Sequence, residues 1–433
     1  MIPVGLSFQQ APPISVPFRF FITAPLFLFA AAMLLVFNHA NLMVSRHEPA
    51  TLAATHLVTL GFTSMVMCGS LLQLFPVLSG FVLSHPIRTA RLIHMPLTVG
   101  AAGIAGAFLW NYPWLMYLSI TCLVGGFSAL LLTIAVALWK ASVSEPSLSS
   151  MRLSFVALGV TVVFGVLLGT ARHLSMPVSY QILADLHPLW GLYGWTMLLI
   201  MGLAYKLVPM FQLTRNYPDL MTKHLVGALL MCIVFKTLVA WIPSHTGDGL
   251  ARLFDVVLAM GAGLFAVITL RLQWQRKRKV GDTTLNFWQI ALVALLMSGV
   301  IEILQQIRGE AYSEELHLAM GILVLMGFAV TVINGMLYKI VPFLTWFHLQ
   351  SAYPGSGAVP NVREIQSRFY AHYQMVLHLA ALTILVISCW MPSLSGIAGI
   401  LWGINALWLE FNLMQAARIF ILAQRVARTP GSE

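Results

Sequence analysis

Three stretches of this chain repeat one pattern, and the repeat constrains the fold more than any other feature. They begin at His56, His187 and His317, and each histidine opens a long apolar run. The first run carries Gly69, Gln73 and Pro76, the second Gly202, Lys206 and Pro209, the third Gly335, Lys339 and Pro342. In each, the glycine stands seven residues before the proline and the Gln or Lys three before it. Self-similarity of this kind means that like structural units are arranged side by side.

The units are membrane spans. Of 433 residues, 59% are hydrophobic and only 9% charged, whereas a soluble domain carries about a quarter charged residues. Apolar runs of about 20 residues suffice to cross a bilayer, and they recur along the whole chain. The expectation is an all-α polytopic membrane protein, a single membrane domain over 1–433. It would have about twelve transmembrane helices in three pseudo-symmetric four-helix arcs, 17–139, 151–272 and 286–424. The helices fall at 17–37, 53–77, 91–110, 114–139, 151–170, 186–211, 222–241, 250–272, 286–306, 315–345, 368–390 and 395–424. The breaks carry turn chemistry, as at Asn111-Tyr-Pro113 and Tyr353-Pro-Gly-Ser-Gly357. The run from Phe20 is too long for a signal-peptide core and lacks a strongly basic stretch before it, so it reads as the first span.

A formal charge of +10 invites a nucleic-acid reading, but the cations sit in loops, so the expected partner is the bilayer and not nucleic acid. The even-numbered loops and both tails hold 17 of the 24 basic residues, and the odd loops hold four, Arg46, Arg172, Arg252 and Arg308. Basic loops stay in the cytoplasm. Both termini are therefore expected there, in a bacterial-type inner membrane, with the three histidines at the outer face. Cys68, Cys122, Cys232 and Cys389 lie singly in apolar runs, with neither zinc-ligand nor disulfide spacing.

Histidine is abundant for such a chain, with thirteen, of which His39, His47, His56, His173, His187, His245 and His317 fall near the outer face. Imidazole is the commonest metal ligand. Taken singly, a histidine at a helix end reads as a hydrogen-bonding cap in the headgroup layer. Taken as a set in matching repeats, they read as ligands. His85, His94, His224 and His348 read as interfacial, and His372 and His378 as packing or quinone-site residues. Lys206 and Lys339 are expected to snorkel to the inner headgroups, and the prolines to stop their helices. Two charges fall within spans, Lys236 and Glu302. An ion pair between them is the preferred reading, with a proton path or a haem propionate contact as alternatives. Asp185, Glu314 and Glu315 stand beside the histidines, as carboxylates that orient an imidazole or as exposed acids.

Twelve spans in three groups of four, with histidines opening helices 2, 6 and 10, resemble the catalytic subunit of the haem-copper oxidase superfamily, which includes the nitric-oxide reductases. Gly202-Leu-Ala-Tyr-Lys-Leu-Val-Pro209 and Leu337-Tyr-Lys-Ile-Val-Pro342 look like the ends of those helices, and His187-Pro188 is similar to the His-Pro that opens helix 6. Pro17-Phe-Arg-Phe-Phe is similar to the shorter NnrS-like branch, associated with haem, copper and nitric-oxide stress. The resemblance implies a haem b between His56 and His317. It implies copper or non-haem iron at His187, with His245 and His173 as further ligands, and a cytochrome c, copper protein or quinol as electron donor. The chain departs from the pattern in having Glu315 where the family has a histidine, Gly191 where it has a tyrosine, and no His-His pair on helix 7. A full oxygen-reducing centre is therefore not expected. Electron transfer or nitrogen-oxide handling is expected, with a secondary transporter or a cofactor-poor assembly subunit as alternatives.

Overall fold

A computed structural model describes residues 11–38, 42–80, 82–140, 146–173, 179–242, 245–277, 280–308, 313–354 and 359–428. Among the described residues there is no strand, and twelve helices are long and apolar enough to cross a membrane. They are α1 (Ser15–Phe37), α2 (Pro49–Val77), α3 (Pro86–Trp110), α4 (Pro113–Ala137), α5 (Ser147–Ala171) and α6 (Tyr180–Gln212). Then follow α7 (Asp219–Val239), α8 (Gly247–Trp274), α9 (Thr283–Arg308), α10 (Glu314–Ala352), α11 (Arg368–Ile387) and α12 (Pro392–Ala427). The chain is an all-α, multi-pass membrane protein.

Three of these helices, α2, α6 and α10, are buried along most of their length. The other nine close a ring around them: α1, α3, α4, α5, α7, α8, α9, α11 and α12 each touch the next, and α12 returns to α1. The outer surface of the ring is apolar, as lipid requires. The same inner contact occurs three times, between α1 and α2, α5 and α6, and α9 and α10. Gly61 and Gly69 of α2 lie against Phe27 and Phe20 of α1. Gly194 and Gly202 lie against Ala157 and Ser150, and Gly327 and Gly335 against Ala294 and Phe287. A β-carbon added at any of the six would come within 2.3–2.9 Å of its neighbour. Small residues let helices approach this closely, which replaces the hydrophobic driving force that lipid cannot supply.

Each core helix loosens to a π-helix in mid-course, at Leu57–Ser64, Leu189–Met197 and Leu323–Val330. Each π segment ends twelve residues before the repeat proline and contains the first glycine of its pair. Two hydroxyls donate across the wide turn, Thr196 to the Gly191 carbonyl at 3.0 Å and Thr331 to that of Met326 at 2.8 Å. Pro188 has no N–H to donate, which favours the break in α6. Such segments tend to occur at functional sites. Those of α2 and α6 both touch that of α10.

Three expectations are corrected here. The histidines do not open their helices. His56 and His187 lie seven residues inside α2 and α6, and His317 lies three inside α10. Pro49 supplies the preferred first-turn residue of α2, and Ser179 and Ser313 cap the others through their side chains. Pro76 and Pro209 fall within three residues of the ends of their helices, as expected, but Pro342 does not stop α10, which continues for ten residues past it. Finally, the prolines recur at intervals of 133 residues but the histidines at 131 and 130, so the histidines do not share one register. Asn111 does end α3 as its turn chemistry predicts, in a left-handed conformation (φ 53°).

Candidate functional site

Despite their different registers, His56, His187 and His317 line one cavity of about 440 Å³ at the same end of the three core helices. The imidazoles of His56 and His187 have ring centroids 6.2 Å apart and planes within 12° of each other. His56 Nδ1 lies 2.7 Å from the Leu52 carbonyl. A carbonyl can only accept, so Nδ1 carries the proton and Nε2 keeps its lone pair in the neutral ring. Phe108 of α3 packs on His56 with centroids 5.1 Å apart. The Arg172 guanidinium lies 5.5 Å from the centre of the same Phe108 ring, within cation–π range. His187 Nδ1 is buried with no hydrogen-bond partner among the described residues, beside Gly165 of α5. Around these rings the walls are almost wholly apolar, among them Leu35, Ile104, Phe127 and Leu158. At the wall, the indole N–H groups of Trp195 and Trp402 are also buried without an acceptor among the described residues. At the rim, Arg46 donates to Asp185 at 2.5 Å, which ties the segment before α2 to α6 beside His317.

The other predicted residues fare differently. His47 lines the cavity, whereas His173 does not and instead packs on Tyr117 of α4, with centroids 6.2 Å apart. The side chain of His245, and His39 altogether, lie outside the described residues. Asp185 is held by Arg46, not by an imidazole, and Glu315 is not among the lining residues. Among the described residues no three of His, Cys, Asp and Glu stand close enough to share a metal ion.

The Lys236–Glu302 pair is corrected. Lys236 forms its ion pair with Asp255 on the neighbouring α8, and Glu302 accepts from Gln306 one turn along its own helix at 2.7 Å. α7 and α8 are adjacent in chain and space, so Asp255 faces Lys236 directly. His94 and His348 have these surroundings. His94 Nε2 lies 2.9 Å from Thr23 Oγ1 between α3 and α1, and His348 Nε2 is buried without a partner among the described residues.

Two features went unforeseen. The larger lies at the opposite, proline end of the core helices, where Gln73, Lys206 and Lys339 line a second cavity of about 750 Å³. The other is a chain of buried polar side chains between α10, α11 and α12. Its centre, His378, is fully buried, with Nε2 2.7 Å from Thr331 Oγ1 and Nδ1 3.1 Å from Asn334 Nδ2. Gln374, one turn away, donates to Asn405 Oδ1 at 3.0 Å, and Asn412 donates to the Tyr338 hydroxyl at 2.8 Å. Tyr338 lines the proline-end cavity, and Met326, which accepts from Thr331, lines the histidine-end cavity. Spacings of four on α11 (Gln374, His378) and seven on α12 (Asn405, Asn412) were the available sequence signal.

No known family model matches this chain, and no curated protein resembles it closely enough to count as a relative.

Proposed function

We propose that the histidine-end cavity holds a haem b, and that the protein serves electron transfer or nitrogen-oxide handling in a bacterial inner membrane. The observation that carries this reading is the His56–His187 pair. It comprises two near-parallel imidazoles in one apolar cavity, one with its Nε2 lone pair fixed by the Leu52 carbonyl, the other with a buried, unpartnered nitrogen. Neutral imidazole is the ordinary protein ligand of haem iron, and a backbone acceptor on the far nitrogen is how ligating histidines are oriented.

The rest of the cavity suits the same group. Its volume lies in the range of ligand pockets, about 300–1,000 Å³. Its walls match an apolar macrocycle, and Arg46 and Arg172 at the rim match acidic side groups. His56 and His187 would hold the group, with His317 as the further imidazole in reach of the cavity. When bound, haem supplies a one-electron redox centre, and the protein's part is to orient it and keep water away. A second metal, copper or non-haem iron, is not part of the proposal, because no three donors converge among the described residues. Both termini are placed in the cytoplasm on the loop charges, and the electron donor would be a cytochrome, copper protein or quinol.

The test is an absorption spectrum of detergent-purified protein, oxidised and dithionite-reduced, with pyridine haemochrome on the same sample. The expected result is a b-type spectrum with about one haem per chain. A colourless protein from haem-replete cells overturns the reading. In that case secondary transport takes its place, supported by two cavities at opposite ends of the same three helices.

A further inference from the structure

The repeat places Gln73, Lys206 and Lys339 three residues before the proline of each core helix, and the fold gathers all three around one cavity. Two lysines snorkelling independently would each seek headgroups on their own side of the bundle. Instead they share a pocket of about 750 Å³, larger than the cavity at the histidine end. Arg363 and Arg368 line it as well, and Asp282 is the single carboxylate among the lining residues. Asp282 accepts from Lys339 at 3.2 Å, so the lining keeps a clear excess of positive charge. Four cationic side chains around one pocket, two of them exposed arginines, make it attractive to an anion.

Two further groups point to a ligand. Gln73 is 4% exposed and its Oε1 has no hydrogen-bond partner among the described residues. Gln366 is 9% exposed and its Nε2 likewise has none among the described residues. Buried amides are normally satisfied, and both line this cavity. The O and N assignment of an amide is interchangeable, so each glutamine offers the pocket a donor or an acceptor. The remaining wall is apolar, including Val77, Phe211 and Phe343.

We propose that the proline-end cavity binds a phosphate headgroup that also carries hydroxyls. Lys206 and Lys339 face the phosphate charge, Gln73 and Gln366 bond its oxygens and hydroxyls, and the apolar wall takes the glycerol and chain beyond. Basic pockets between transmembrane helices bind anionic headgroups in this way. The site stands apart from the haem reading and shares no residue with it.

The experiment measures thermal unfolding and native mass spectra of the full chain in uncharged detergent. Phosphatidylglycerol, phosphatidylcholine and glycerol 3-phosphate are titrated in turn. Phosphatidylglycerol is expected to stabilise the protein and stay bound in the mass spectrum, and phosphatidylcholine is not. Glycerol 3-phosphate competing with the lipid assigns the lipid headgroup as the source. Glycerol 3-phosphate stabilising the protein where the lipid does not assigns a free phosphate ester. The double variant Lys206→Gln/Gln73→Leu, which leaves the Lys339–Asp282 pair intact, should weaken binding roughly ten- to a hundredfold, as loss of a charged hydrogen bond does. Arg368→Gln, at an exposed position, gives the same readout if the double variant does not fold. Equal stabilisation by the two lipids with no effect of the phosphate ester overturns the proposal. So does unchanged affinity in a folded variant. The haem spectrum is an independent signal and is expected to be the same in all these variants.

Discussion

His56 of α2 and His187 of α6 lie with ring centroids 6.2 Å apart and planes within 12°, and this contact joins the first and second repeats at the histidine end. The resemblance to the oxidases pairs His56 with His317 instead. The two pairings differ in their consequences. His56→Ala and His187→Ala should each lower haem occupancy by at least the 10–100-fold, on the order of which even an orienting partner is worth. His317→Ala should leave most of the haem in place and alter its environment at the rim. Haem content per chain, measured by pyridine haemochrome after purification, decides between them. Loss in His317→Ala with retention in His187→Ala restores the oxidase-type pairing.

The close approach of Gly61 to Phe27 predicts a stability difference with no chemistry involved. A β-carbon at position 61 would lie 2.3 Å from Phe27 Cγ and 2.5 Å from its Cβ, atoms too near the backbone to move aside. Gly61→Ala should cost about 1–3 kcal/mol, the usual penalty of overpacking. Gly125→Ala is the control, since nothing lies within 4 Å of its added carbon, and it should be neutral or slightly stabilising. Unfolding in mixed micelles reads both. Equal effects would mean that the helices do not meet at this distance.

Much of this architecture could be read from the sequence, and the reasons are physical. Span length is fixed by bilayer thickness, so twelve apolar runs gave twelve helices, with ends displaced by at most seven residues, at the start of α6 and the end of α10 most of all. The Gly–Pro spacing is legible because close helix contact tolerates only small residues at fixed intervals. Gly61, Gly194 and Gly327, each fifteen residues before its proline, extended that signal and were there to be seen. What could not be read was rotation about the helix axis. Lys236 faces Asp255 and not Glu302 because of how α7 turns toward α8, and nothing in an apolar run records that angle. The π segments were hidden for a similar reason, since Pro188 marks only the one in α6 and a glycine at helix spacing reads equally well as close packing. The histidines line one cavity although their registers differ, so they meet in space through a repeat that holds for the prolines and not for the histidines.

The Lys236–Asp255 pair predicts strong non-additivity. Both side chains are about a fifth exposed, 23% and 21%, and removal of either leaves a charge stranded in a lipid-bounded ring. Lys236→Met alone should destabilise by about 3 kcal/mol, the lower end for a broken buried pair. The double variant Lys236→Met/Asp255→Leu should recover most of that loss, because two apolar groups need no solvation. A double-mutant cycle in chemical unfolding gives the coupling directly. Additive effects would show that the two charges reach water separately.

His378 makes the last prediction. Its ring is fully buried, contacts Trp402 at 4.8 Å and Phe287 at 5.4 Å between centroids, and both nitrogens are bonded, to Thr331 and Asn334. His378→Phe keeps an aromatic ring in that space and removes both polar contacts. Thr331 retains the Met326 carbonyl, but the Asn334 amide loses its partner on this ring, so the cost should be about 1–3 kcal/mol. His372→Phe, six residues earlier on the same helix and exposed, should change stability by about 0.5 kcal/mol or less. Melting temperatures of the two variants in the same detergent make the comparison. A neutral His378→Phe would mean that water, not this imidazole, holds the polar chain between α10, α11 and α12 together.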